Sequence, residues 1–70
     1  ASAAQTLAVR TLKEEGRFPS LTKELRESAE ARLTHPTLSL SELATLLGVS
    51  KGGLQHRMKK LMQLYEETRA

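Results

Sequence analysis

Apolar positions recur at helical spacing in four separate runs, and no run alternates with a period of two over a useful length. In the first run, Ala4, Leu7, Ala8 and Leu12 predict a leading helix over residues 2–15, with its buried stripe on those four side chains. Gly16 follows where a left-handed C-cap glycine belongs. The Phe18-Pro19 step blocks continuation, because the residue before a proline avoids the α region. A second helix is predicted to start after Ser20 or Thr22, both suitable N-caps, and to run to about Thr34. Leu21, Leu25, Ala29 and Leu33 form its stripe, Lys23, Glu24, Arg26, Glu27 and Glu30 take the wet faces, and His35-Pro36 stops it. A stripe this narrow, with an alanine in it, suits close helix packing.

Ser39-Leu40-Ser41-Glu42 has the form of a capping box, in which serine and glutamate each satisfy an orphan backbone N–H. It opens a short third helix ending at Gly48, with Leu43, Leu46 and Leu47 facing inward and Ala44 leaving room for a neighbour. Val49-Ser50 then leads into a fourth helix, from about Lys51 to Glu67, whose stripe is Leu54, Met58, Leu61 and Tyr65. The pattern predicts an all-α fold: a small trihelical helix-turn-helix domain over residues 20–70, preceded by a leading or linker helix and loop over residues 1–19.

The pairing of the last two helices sharpens that expectation. A helix-turn-helix unit needs a small residue in its first helix for close crossing, a glycine at the turn and an apolar residue just after it. Ala44, Gly48 and Val49 meet those demands, with Leu43, Leu47 and Leu54 as anchors. Three residues after Leu54, where many such units carry a further apolar anchor, the chain has Arg57, and Met58 takes over. That shifted pattern is similar to region 4 of bacterial sigma factors.

Composition removes whole classes of chemistry. The 70 residues contain no Cys, all eight acidic residues are Glu, and only His35 and His56 supply imidazole. Thiolate metal sites, disulfides, cysteine nucleophiles and carboxylate-rich cation loops are set aside, and no motif places a nucleophile and an acid beside either histidine. The expectation is a non-enzymatic binding domain with no catalytic residue, metal or cofactor. The stretch Leu43–Val49 is too short to span a membrane, and no signal segment opens the chain, so a cytoplasmic protein with no membrane partner and no small-molecule substrate is expected.

Charge locates the binding surface. The net charge is +3, yet residues 1–47 carry six cations and six glutamates, while residues 48–70 carry five cations against two glutamates. Between Lys51 and Lys60 there are four cations and no acid. A basic block on one element is the footprint of a nucleic-acid reader, although a solvated lysine-rich face has the same composition. At about 100° per residue with Leu54 at zero, the core stripe of the fourth helix centres near 10°. Gly52, His56, Lys59, Lys60 and Gln63 point away from it, flanked by Lys51, Gln55 and Arg57.

In a major groove, residues near the start of such a helix reach base edges. Gln55 suits a bidentate pair with adenine, Lys51 or Arg57 suits guanine, and Lys59 and Lys60 suit phosphates. The candidate DNA-binding set is therefore Ser50, Lys51, Gly52, Gln55, His56, Arg57, Lys59 and Lys60. Blander roles stand beside these: Gln55 and His56 idle in solvent, Arg57 bridging to Glu42 across the turn, and His35 serving only as a helix end. Gly52 and Gly53 in one first turn cost roughly 1 kcal/mol each relative to alanine. Either bare backbone approaches a phosphate or base closely there, or the helix start is frayed.

The residues also carry a family resemblance. The run from Thr22 to Leu33 (Thr-Lys-Glu-Leu-Arg-Glu-Ser-Ala-Glu-Ala-Arg-Leu), with His35-Pro36, Ser39-Leu-Ser-Glu-Leu43 and Ser50-Lys-Gly-Gly-Leu-Gln-His-Arg-Met58, resembles the C-terminal domain of the WhiA regulators of sporulation and cell division. It covers roughly residues 5–65. The family's Lys-Ser-Gly-Val-Asn-His-Arg run stands here as Lys51-Gly-Gly-Leu-Gln-His-Arg57, with Gly52 for serine and Gln55 for asparagine. The resemblance implies a fragment preceded by a homing-endonuclease-like domain that has lost nuclease activity. It further implies a nucleoid-associated protein that binds promoters, acts with RNA polymerase holoenzyme and, in some bacteria, has a WhiB-type iron–sulfur partner.

Sequence-specific double-stranded DNA binding is thus the leading expectation. The alternative is a sigma region 4-like module docking on RNA polymerase or another acidic partner. Reading of single strands or RNA is weaker, since Phe18 and Tyr65 are the only aromatic residues and stacking needs more. A coiled-coil dimer through Leu54, Met58, Leu61 and Tyr65 would have only two heptads and would take residues the core requires.

Overall fold

Four α-helices and one 3-10 turn make up the computed structural model, which describes residues 2–69 (the side chain of Ser2 excepted). They are α1 (Ser2–Glu14), the 3-10 turn Phe18–Ser20, α2 (Lys23–Thr34), α3 (Leu40–Leu47) and α4 (Lys51–Glu67). No strand occurs among the described residues.

Each boundary has a local cause. Gly16 takes a positive φ of 72°, and α1 closes with Gly16 N–H on Lys13 O (3.0 Å) and Arg17 N–H on Leu12 O (2.9 Å). Those paired bonds form a Schellman cap, so the chain has already left the helix before it reaches Phe18-Pro19. Thr22 caps α2, its hydroxyl accepting from Leu25 N–H at 3.3 Å. At the far end His35 N–H donates to Ala31 O. The capping box of α3 is complete: Ser39 Oγ accepts from Glu42 N–H (3.2 Å), and Glu42 Oε1 accepts from Ser39 N–H (2.9 Å).

Helix α4 is the hub, touching α1, α2 and α3. Its Leu54, Met58 and Leu61 are buried against Val9 and Leu12 of α1, Phe18, Leu21, Ala29 of α2, and Leu43 and Ala44 of α3. Tyr65 packs on the edge of this cluster. Burying one such large apolar side chain is worth about 1.5–3 kcal/mol, so these few residues carry most of the hydrophobic stabilisation. Helix α1 is pinned at its C-terminal end. Lys13 pairs with Glu30 of α2 at 3.2 Å and lies over the Phe18 ring, and Arg69 pairs with Glu15.

Three expectations need correction. In α1, Leu7 is 56% exposed and Ala4 is exposed, whereas Val9 is fully buried. Ala8, Val9 and Leu12 form the arc that packs into the core, and that packing turns Val9 inward and Leu7 out. In α3, Leu46 is 55% exposed. Leu40, Leu43, Ala44 and Leu47 share the inward arc of this two-turn helix, and Leu46 lies about 110° from its centre. Arg57 does not bridge to Glu42, whose carboxylate is committed to Ser39, but turns towards α2.

Arg32 is the largest fully buried side chain. Its Nη1 donates to three carbonyls of the α2–α3 connection: Leu38 (2.7 Å), His35 (3.3 Å) and Pro36 (3.4 Å). Burial pushes its guanidinium below the ordinary arginine value. These hydrogen bonds give the buried cation acceptors and tie the α2–α3 connection to α2, which offsets part of the cost of burying it.

Candidate nucleic-acid interface

The turn between α3 and α4 sets the candidate surface. Gly48 adopts φ 71° and ψ 29°, a left-handed conformation that a side chain strains. Gly48 N–H donates to Thr45 O (3.2 Å) and Val49 N–H to Ala44 O (3.0 Å), a second Schellman cap. The chain turns sharply there and at once starts α4, where Ser50 Oγ accepts from Gly53 N–H at 3.0 Å. Ser50 is thus engaged as the N-cap of the helix.

The two glycines that follow are not equivalent. A Cβ on Gly53 would lie 2.9 Å from Ser50 Oγ, so that glycine makes room for the cap. A Cβ on Gly52 would meet nothing within 4 Å. Gly52 leaves an open, bare stretch of backbone at the start of the helix, and the observed cap argues against fraying.

Lys51, Gly52, Gln55, His56, Lys59, Lys60 and Gln63 are exposed, as the wheel placed them. Arg57 is half-buried, with Nη1 3.4 Å from Ser28 Oγ. Among the described residues, Lys51, Lys59 and Lys60 enter no ion pair; the pairs present join Lys13 to Glu30 and Arg69 to Glu15. Lys51, in the first turn of α4, opposes the helix dipole, which favours anions at an N-terminus and fades within about one turn. Helix α4 has no acid in its first turn and places Glu66 and Glu67 at its end.

No group of three or more metal-ligating side chains occurs among the described residues, and no helix is long and apolar enough to cross a membrane. His35 forms the C-cap of α2, its carbonyl held by Arg32, and is remote in sequence from the basic face. Sequence reasoning missed Ser28 and Arg32. Their signal was present in the i, i+4 spacing beside Ala29, but a polar residue on a buried arc is conventionally assigned to solvent.

A short capped helix, a left-handed glycine turn and a second helix with a free polar face define a helix-turn-helix domain. Residues 1–65 match the family model described as the WhiA C-terminal HTH domain. The chain belongs to that family. Relatives named probable cell division protein WhiA include those of Leuconostoc citreum (51% identical over 49 residues, covering 70% of this chain and 16% of the relative) and Clostridium perfringens (39% over 71 residues, 99% and 22%). A third, from Symbiobacterium thermophilum, is 43% identical over 68 residues, 94% of this chain and 22% of the relative. The chain spans about a fifth of the length of such relatives. No solved structure matches it significantly.

Proposed function

We propose that this domain binds double-stranded DNA selectively, as the reading module of a transcription regulator of sporulation or cell division. Helix α4 enters the major groove over residues 51–64. The observation that carries this reading is the exposed cationic face of α4, whose Lys51, Lys59 and Lys60 enter no ion pair among the described residues. Gln55 and Lys51 are placed to address base edges, with His56 beside them. Lys59 and Lys60, one to two turns further on, grip phosphates, and Ser50 and Gly52 bring the helix start close to the backbone.

The same family resemblance supports action with RNA polymerase holoenzyme and with a WhiB-type partner, and association with the nucleoid.

Selection of bound sites from a random duplex library, followed by salt titration, tests the proposal. Four to five phosphate contacts give a slope of log K against log salt of about −4. Lys59→Ala is expected to weaken selected and random duplexes alike. Gln55→Ala is expected to weaken the selected site by about 1–3 kcal/mol more than random DNA. Equal effects of both changes on both duplexes would sink base reading by α4. Amide shifts confined to α1 and α2 on adding duplex would favour protein docking.

A further inference from the structure

We infer that Arg57 is a positioning residue that sets the angle of the reading helix through Ser28, and is not itself a base reader; this deepens, and rests on, the DNA-binding reading above. Arg57 lies three residues beyond Leu54, where a side chain faces α2. Alone among the candidate cations of α4 it is half-buried, while Lys51, Lys59 and Lys60 are exposed.

Its partner fits a donor and nothing else. Ser28 is fully buried, and its hydroxyl donates to Glu24 O one turn back in α2 at 2.9 Å. A hydroxyl has one proton, so the side facing α4 is a lone pair. Arg57 Nη1 donates to it across 3.4 Å. An apolar anchor at residue 57 would leave that buried lone pair facing hydrocarbon. The contact therefore runs from the α4 guanidinium through a committed hydroxyl to the backbone of α2.

The start of α4 has few other constraints. Gly52 and Gly53 offer no side chain for packing, so between the Ser50 cap and Met58 only Leu54 and Arg57 fix the helix against its neighbours. Side chains reach about 5–6 Å from a helix axis, so a rotation of roughly 10° moves a reading atom by about 1 Å. A hydrogen bond to a base edge does not survive such a shift with good geometry. Phosphate contacts through flexible lysines do. Loss of the Arg57–Ser28 contact is thus expected to erode discrimination and to spare general affinity.

The test uses this chain with its selected duplex and a random duplex, comparing Arg57→Met, Arg57→Lys, Ser28→Ala and the double variant Ser28→Ala/Arg57→Met. Arg57→Met and Ser28→Ala are each expected to lower the ratio of selected to random affinity about five- to tenfold. The double variant should do no worse than Arg57→Met alone, because the two residues act as one unit. The salt slope on random DNA should not change, and Arg57→Lys should recover part of the ratio. Amide spectra and melting midpoints confirm that every variant keeps the fold.

A slope shallower by about 0.9 in Arg57→Met, with Ser28→Ala silent, would make Arg57 a phosphate ligand and overturn the inference. Loss of preference at a single base pair, again with Ser28→Ala silent, would make it a base reader and overturn it equally. If the unaltered chain binds no duplex, the DNA-binding reading fails and this inference with it. That outcome is separate from the two above, in which binding persists.

Discussion

At the scale of single residues, the adjacent glycines of α4 show how identical side chains acquire different duties. Gly53 is glycine because its Cβ would press on the Ser50 hydroxyl that caps its own N–H. Gly52 has no such neighbour. Gly52→Ala is therefore expected to stabilise the free domain by up to about 1 kcal/mol, the helix-propensity difference, while weakening duplex binding. Gly53→Ala should gain little or nothing in stability, since the same propensity gain is set against a displaced cap. Urea melts and duplex titrations of both variants check this; equal stabilisation by both would contradict the assigned roles. Arg32 is the other residue whose environment sets its role. Arg32→Met fills the buried volume but removes the donor to Leu38 O and the longer contacts to His35 O and Pro36 O. The expected loss is about 1–3 kcal/mol in chemical denaturation.

At the scale of elements, termini were legible in the sequence, as was the rotation of α4, whereas the rotations of α1 and α3 were legible only in part. The limits of α4, the Ser39–Glu42 box and the glycine turns at 16 and 48 all follow from chemistry within five residues of chain. Leu7, Val9 and Leu46 lie on helices whose rotation is set by tertiary partners, and short-range periodicity cannot choose between adjacent arcs. The candidate surface divides the same way. Exposure of Gln55, His56, Lys59 and Lys60 followed from the wheel, whereas Arg57 depends on Ser28, which is 29 residues away. The capping box also carries a pH dependence. The backbone N–H and hydroxyl of Ser39 hold the Glu42 carboxyl below the usual glutamate range. Because the folded value lies below the unfolded one, this contribution is complete above the unfolded pKa of about 4.3 and is lost as pH falls through the folded value. Glu42→Gln keeps an acceptor for Ser39 N–H and removes the titration. The gap in melting midpoint between this variant and the unaltered chain should therefore narrow on acidification below about pH 4; a gap independent of pH would contradict the assignment.

At the scale of the whole molecule, α4 is at once the centre of the core and the carrier of the free cationic face. A domain with a separate, weakly attached reading arm would gain only local order from its target. Here the helix that would hold DNA packs against every other helix and supplies Leu54, Met58 and Leu61 to the shared core, so its unfolding would open that core. Anything that binds its outer face in the folded state alone shifts the global unfolding equilibrium. Duplex at one hundred times its dissociation constant adds about 2.7 kcal/mol, and in a domain this small that raises the melting midpoint by roughly 10–20 °C. Heat resistance of the entire fold thus becomes a direct gauge of target occupancy, and candidate operators can be ranked by calorimetry without labelling either molecule.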